Sequence, residues 1–142
     1  MIKDNSIMVL NFLLNSEKFG LNISDVLEVN KLSEVFPVHG AGDYIAGLIN
    51  FHGKSVPVVA LDRLLMLSSG RKEKDLFVAV KTKNGPLCFS VDELIGFDEV
   101  PETKIRNTKD LAFKFDSSYL QFVYLNSNSM ISVLDVNFLT GF

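Results

Sequence analysis

Hydrophobic positions recur along the chain mainly with a period of two. Met8, Leu10 and Phe12 fall on one face of an extended segment, and Val56 and Val58 fall on one face of another. Alternation of this kind predicts half-buried β-strands, and the many Phe, Val and Ile residues favour the same assignment. The sequence therefore predicts an all-β chain in which the helices are only short turns.

The stretch YIAGLINFHGKSVPVVALDRLL predicts a β-hairpin. Its strands cover Ile45 to Asn50 and Ser55 to Leu61, and they join around His52-Gly53, where glycine supplies the positive φ of a tight turn. Pro57 has no backbone N–H to donate, so the strand edge on which its nitrogen lies is expected to face outward, at a sheet edge or a bulge. Gly47 inside a strand indicates that another backbone or side chain comes close to it.

The second half of the chain repeats the pattern of the first. Six pairs share one constant offset in residue number: Leu10 with Val78, Phe12 with Val80, Leu21 with Phe89, Ile23 with Val91, Val26 with Leu94, and Val29 with Phe97. Tyr44 matches Tyr119 at a larger offset, whereas Val58 and Leu61 match Ile131 and Leu134 at an offset between the two. The chain therefore contains an internal repeat, that is, two copies of one motif.

The repeat predicts a single domain over residues 1–142 with two subdomains. The first barrel motif covers 1–68, the second covers 75–142, and the polar segment 69–74 joins them. Barrels this small have marginal cores alone, so we expect them to share an apolar interface. The crease between them is expected to form a groove for an elongated partner.

Composition and charge exclude several classes of function. The 142 residues are 47% hydrophobic and 22% charged, which suits a compact core. A net charge of -3 with scattered basic residues predicts no nucleic-acid binding. The single cysteine, Cys88, predicts a reducing, cytoplasmic location, and no apolar run reaches the roughly 18 residues of a membrane-spanning helix, so no direct membrane insertion is expected.

Candidate chemistry is sparse, which predicts a protein that is not an enzyme. The two histidines, His39 and His52, lie in predicted loops, and no nucleophile motif surrounds Cys88 or a serine. No metal-ligand spacing and no phosphate-binding glycine loop is present in the sequence. We therefore expect no catalytic residues, no metal and no cofactor.

The segments FGLNISDVLEV and YIAGLINFHGKSVPVVALD resemble the chemotaxis coupling proteins of the CheW type. The glycines, asparagine, proline and aspartate of the second segment stand at the distances found in that family. The later segment FSVDELIGFDEV resembles a further stretch of the same family. The resemblance extends from about Met8 to Phe138 and so covers nearly the whole chain.

The resemblance implies two pseudo-symmetric five-stranded SH3-like β-barrels. It also implies a bacterial signal-transduction scaffold without catalysis. Such an adaptor bridges the signalling hairpin of a methyl-accepting chemoreceptor to the regulatory domain of a CheA-type histidine kinase in a two-component system. The receptor helix would lie between the barrels, and the kinase would contact barrel ends.

Transferred by position, the resemblance marks receptor-facing residues and a possible second-barrel groove. The expected receptor-binding residues are Val26, Glu28, Gly47, Ile49, Asn50, His52 and Gly53. The possible groove residues are Val91, Leu94 and Val100. Val26 and Ile49 could equally belong to the core, because hydrophobic residues are usually buried for structural reasons.

His52 departs from the family pattern, which has arginine there. An imidazole replaces a permanently charged guanidinium, which weakens a charged contact. We hypothesise a Glu28–His52 pair that strengthens below neutral pH, although His52 could also be no more than a tolerated hairpin residue. The departure leaves open a diverged adaptor of surface motility or another pathway. A peptide-binding SH3-like module is a second alternative, because SH3-like barrels can bind peptides.

Overall fold

The computed structural model describes residues 5–32, 34–40, 42–67, 74–108 and 117–140. Ten strands dominate these residues, together with a one-turn helix, α1 (Leu61–Leu64), and short 3₁₀ turns, so the all-β prediction is confirmed. The strands are β1 (Ser6–Leu14), β2 (Glu17–Asn22), β3 (Val26–Lys31), β4 (Ile45–Phe51), β5 (Lys54–Val59), β6 (Leu76–Thr82), β7 (Gly85–Val91), β8 (Glu93–Pro101), β9 (Leu120–Asn126) and β10 (Ser129–Leu134). Within the described ranges, no helix has the length and apolar character needed to cross a membrane.

The strands form two five-stranded sheets of matching topology. Sheet 1 has the order β8-β1-β2-β10-β9, and sheet 2 has the order β3-β6-β7-β5-β4. Each strand of one sheet corresponds to the strand five places along the chain in the other. The internal repeat is therefore confirmed as a pseudo-twofold relation between the sheets.

The two sheets do not follow the predicted boundary at residues 69–74. Sheet 1 combines β1 and β2 of the first copy with β8, β9 and β10 of the second. Sheet 2 combines β3, β4 and β5 with β6 and β7. The prediction that 1–68 and 75–142 each form a barrel is thus wrong. Alternation of hydrophobic residues specifies which face of a strand is buried, but it does not specify which strand lies beside it.

One part of the predicted repeat is also out of register. Val58 pairs with Cys88 in sheet 2, and Val133 pairs with Gly20 in sheet 1. Because Gly20 and Cys88 are related by the same offset as Leu10 and Val78, Val58 corresponds to Val133 and not to Ile131. The larger offset that relates Tyr44 to Tyr119 therefore applies to the paired strands β5 and β10 as well.

The largest block of core side chains fills the space between the sheets. This seam cluster is a shared apolar interface, but it joins the two exchanged sheets and not the segments 1–68 and 75–142. It includes Leu10, Phe12, Phe19 and Leu21 from sheet 1 and Val78, Val80, Phe89 and Val91 from sheet 2. Two smaller clusters lie elsewhere, one built on sheet 1 around Val9 and Tyr124 and one on sheet 2 around Ile49 and Phe77.

Each sheet is closed by the segment that follows its edge strand. Beyond β3, Phe36 exchanges two backbone hydrogen bonds with Leu48 of β4. Beyond β8, Arg106 does the same with Val123 of β9. These bridges join the two edges of each sheet, which is the arrangement of a small barrel.

A buried ion pair ties the connections of both copies together. Lys74 Nζ lies 2.8 Å from Asp92 Oδ1 and donates to Asn15 Oδ1 at 2.7 Å. The lysine side chain is only 7% exposed. Asn15 lies in the β1–β2 turn of sheet 1, and Asp92 lies between β7 and β8, where the chain passes from sheet 2 to sheet 1. The contact therefore holds this crossing against the β1–β2 turn.

Candidate functional site

The β4–β5 turn has the geometry that its sequence predicts. His52 and Gly53 have φ of +51° and +84°, so the two-residue turn is left-handed at both positions. The side-chain oxygen of Asn50 accepts from the Gly53 N–H at 2.8 Å. Phe51 makes edge contacts with the rings of His52 and Phe77. These contacts fix the turn in one conformation.

The hypothesised pair between Glu28 and His52 is present. His52 Nε2 lies 2.8 Å from Glu28 Oε1, so β3 is connected to the β4–β5 turn. The His52 side chain is 70% exposed and that of Glu28 is 29% exposed. Exposed pairs contribute roughly 1 kcal/mol or less, so the contact orients the imidazole more than it stabilises the fold. Its predicted strengthening below neutral pH stays a prediction.

Two of the expected receptor-facing residues are buried instead. Gly47 has φ +153°, and a Cβ there would lie 2.7 Å from Val35 Cγ1 and closer still to the Phe36 carbonyl oxygen. The predicted close approach is confirmed, but the neighbour is the chain's own backbone. Ile49 is 4% exposed and belongs to the core of sheet 2. The Ile49 side chain is therefore not offered to a partner, and the backbone of Gly47 is covered by residues 35 and 36.

The residues of the possible second-barrel groove also lie in the core. Val91 is fully buried in the seam cluster, and Val100 is 2% exposed in the core of sheet 1. Leu94 and its counterpart Val26 are half-buried against the seam cluster. The proposed groove is therefore not formed by Val91 and Val100.

The structure adds exposed apolar residues that the alternation could not identify. Pairing of β3 with β6 runs from Val26 to Glu28 and skips Leu27, which is 49% exposed. A bulge of the same kind in β8 skips Ile95, which is 47% exposed. A bulge adds one residue to a strand, so apolar residues beyond it cannot be assigned to a face from the sequence.

The exposed candidate residues thus form one surface, which we name the turn site: Glu28, Asn50, His52 and Gly53. It presents a carboxylate, an imidazole and an amide on a fixed turn, next to the apolar Leu27. The arrangement suits recognition of another protein's surface.

Cys88 has no chemistry to contribute to such a site. Burial, and secondarily the Glu28 carboxylate, raises the pKa of the Cys88 thiol to about 12. The thiol therefore stays protonated near neutral pH, and the thiolate is the reactive form. Over the part of the chain that the structure describes, no three His, Cys, Asp or Glu side chains are grouped to hold a metal ion.

Comparison with known proteins agrees with this architecture. Residues 8–141 match the family described as the CheW-like domain. The chain belongs to the CheW-like domain family. Sequence comparison gives relatives named as chemotaxis proteins, and structural comparison gives one named as a scaffolding protein. The resemblance seen in the sequence is confirmed, and family and fold are those of chemotaxis scaffold proteins.

The individual similarities are distant but extend over most of the chain. The Chemotaxis protein CheW of Treponema pallidum (strain Nichols) is 23% identical over 141 residues, which cover 96% of this chain and 83% of that protein. The Chemotaxis protein CheW of Thermotoga maritima is 25% identical over 97 residues, or 68% of this chain and 64% of that protein. The crystal structure of the scaffolding protein TtCheW from Thermoanaerobacter tengcongensis superposes with a TM-score of 0.88 at 23% identity, covering 96% of this chain and 93% of that one.

Proposed function

We propose that this protein is a non-catalytic scaffold that couples the signalling hairpin of a chemoreceptor to the regulatory domain of a CheA-type histidine kinase in the cytoplasm. The observation that carries the proposal is the turn site, whose Glu28–His52 pair joins β3 to the fixed β4–β5 turn. Membership of the CheW-like family supports the same assignment.

The turn site suits recognition of a rigid helical partner. Its backbone is already fixed by the Asn50–Gly53 hydrogen bond, so binding costs little further ordering. The Glu28 carboxylate and the His52 ring offer hydrogen-bonding groups of known direction to polar side chains on a helix. Leu27 supplies exposed apolar surface beside them.

Coupling requires two surfaces that bind at the same time. In the proposed arrangement, the receptor hairpin binds the turn site and the kinase domain binds barrel ends. Binding at one surface raises the effective concentration of the second partner, so each contact can be weak alone. The protein then acts by positioning, without any bond being made or broken.

The receptor contact can be tested by calorimetry with a soluble receptor hairpin fragment. Glu28→Lys removes the pair with His52 and reverses the charge, and we expect it to weaken binding by about tenfold or more. Glu99→Lys makes the same charge change at an exposed position of β8 and serves as the matched control. Equal affinities of the two variants would contradict the assignment of the turn site.

A further inference from the structure

An opening of about 380 Å³ lies in sheet 2 between β5 and the β6–β7 hairpin. We name it the β5–β7 opening, and the residues that matter to its chemistry are Lys54, Ser55, Val56, Pro57, Pro86 and Leu87. It begins directly after Gly53 of the turn site. Its volume falls at the low end of the roughly 300–1,000 Å³ of ligand-binding pockets.

Two prolines explain why the strands separate here. β5 and β7 pair only at Val58–Cys88 and Val59–Phe89. Pro57 and Pro86 precede these pairs on the two strands, and neither can donate to a ladder. Leu48, opposite Pro57 on β4, makes both of its backbone hydrogen bonds with Phe36, so the N side of Pro57 faces β7.

The other copy of the motif closes the equivalent place. In sheet 1, Ser132 stands where Pro57 stands in sheet 2, and it pairs with Phe19, so this two-pair ladder begins one residue earlier than the two-pair ladder of β5 and β7. Lys18 Nζ also donates to Ser129 Oγ at 3.1 Å across the same gap. The counterparts of Lys18 and Ser129 are Pro86 and Lys54. The gap is therefore closed between β2 and β10 of sheet 1 and open between β5 and β7 of sheet 2.

The chemistry of the opening points to an acidic, extended occupant. Ser55 lies two residues before Pro57 on the same strand, so its backbone N–H and C=O point into the opening. Val56 and Leu87 supply apolar surface. Lys54 is the one charged residue among those that line the opening, and no ion pair is found for it in the described ranges.

We propose that the β5–β7 opening binds a short extended segment of a partner protein. The segment places a carboxylate side chain on Lys54 and a β-branched apolar side chain against Val56 and Leu87, and it hydrogen-bonds to the backbone of Ser55. Strand addition of this kind gives affinity through main-chain bonds and specificity through alternate side chains. The proposal goes beyond the coupling function and does not depend on it.

The test uses two blocked peptides and the isotope-labelled full chain. Acetyl-Val-Glu-Val-Glu-Val-amide is the probe, and acetyl-Val-Lys-Val-Lys-Val-amide is its charge-reversed control. We expect NMR shift changes at the amides of Ser55, Gly85 and Leu87 with the acidic peptide. The basic peptide is expected to bind about tenfold more weakly or worse.

Two variants separate specific binding from non-specific attraction. Lys54→Glu changes only an exposed side chain, and it should reverse the preference between the two peptides. Lys54→Ser combined with Pro86→Lys transfers the closing contact of sheet 1 into sheet 2, and it should abolish binding while the remaining amide spectrum stays folded.

The outcomes decide the proposal. Shift changes confined to the β5–β7 opening, with reversal in Lys54→Glu and loss in the double variant, support it. Absence of shifts with the acidic peptide, equal affinity for both peptides, or unchanged preference in Lys54→Glu would overturn it. None of these measurements involves a receptor or a kinase, so the coupling proposal stands or fails separately.

Discussion

At the scale of single residues, Gly47 and Gly96 share a backbone conformation but differ in surroundings. Their φ values are +153° and +154°, a region that side chains rarely adopt. A Cβ on Gly96 would meet nothing within 4 Å, whereas one on Gly47 would clash with Val35 and the Phe36 carbonyl. The two glycines therefore separate backbone strain from steric overlap.

We expect Gly96→Ala to lower the free energy of unfolding by about 1–3 kcal/mol through backbone strain alone. Gly47→Ala should cost a further ~1–3 kcal/mol because the neighbouring backbone must move. Urea denaturation of the two variants measures the difference. If Gly47→Ala were as stable as Gly96→Ala, the close approach of Phe36 would not constrain this position.

Cys88 gives a pH-dependent prediction at the same scale. Its raised pKa of about 12, against an ordinary value of 9.0, means that only the unfolded chain ionises this thiol as pH rises above about 9. Stability that is fully present below pH 9.0 should therefore be lost as pH rises toward about 12. The measurement compares how steeply the free energy of unfolding falls with pH above about pH 9 in the unchanged protein and in Cys88→Ala. A slope unchanged by the substitution would show that the thiol does not contribute.

At the scale of elements, closure of sheet 1 depends on a polar cluster around Asp98. Its Oδ2 accepts hydrogen bonds from Asn11, Tyr124 and Asn126, at 2.6, 2.8 and 2.7 Å. These contacts connect β8, β1 and β9, which include both edges of the sheet. Burial, followed by the hydrogen bond and charge of Asp98, raises the pKa of Tyr124, so the hydroxyl remains a donor.

Asp98→Ala should destabilise the protein by about 1–3 kcal/mol, because the side-chain N–H of buried Asn11 would lose its acceptor. The Tyr124 hydroxyl would keep Asn11 Oδ1 as an acceptor at 2.7 Å. Glu99→Ala, at the adjacent exposed residue, is the control and should have little effect. Thermal unfolding provides the comparison. Equal melting temperatures for the two variants would show that the Asp98 cluster does not hold the edges together.

Individual elements were predictable because their signals are local. Alternation located the hairpin at residues 45–61, and the His52-Gly53 pair gave its turn, because positive φ favours few residues. Register was less predictable. A shift by one full period of the alternation leaves every side chain on the same face, so matching Val58 to Ile131 satisfied the pattern as well as matching it to Val133.

The candidate site was predictable only in its polar part. Glu28, Asn50 and His52 keep their polar groups at the surface, and polar side chains seldom have a structural alternative in the core. Ile49, Val91 and Val100 were ambiguous because an apolar residue can lie in either a core or an interface. Their burial depends on distant strands, which no local pattern specifies.

At the scale of the whole molecule, the exchange of strands makes the two copies interdependent. The hairpin β1–β2 completes a sheet whose other strands begin only at Glu93, and β6–β7 completes the other sheet. The seam cluster then joins both sheets through a common core. Sequence repetition alone could not distinguish this arrangement from two barrels in succession, because both bury the same residues.

The shared core packs sheet 2, which carries the turn site, against sheet 1. A scaffold of this kind can hold two partners at a fixed separation. Partner affinity at one site can then be changed without altering the other, provided that the variant leaves the seam cluster intact.

The coupling function is tested most directly by analytical ultracentrifugation of the full chain mixed with a receptor hairpin fragment and a CheA-type regulatory domain from the same cell. The coupling function predicts a three-component complex with the unchanged protein, and it predicts that Glu28→Lys loses the receptor fragment but retains the kinase domain. Binding of neither partner, or binding of only one at a time, would contradict it.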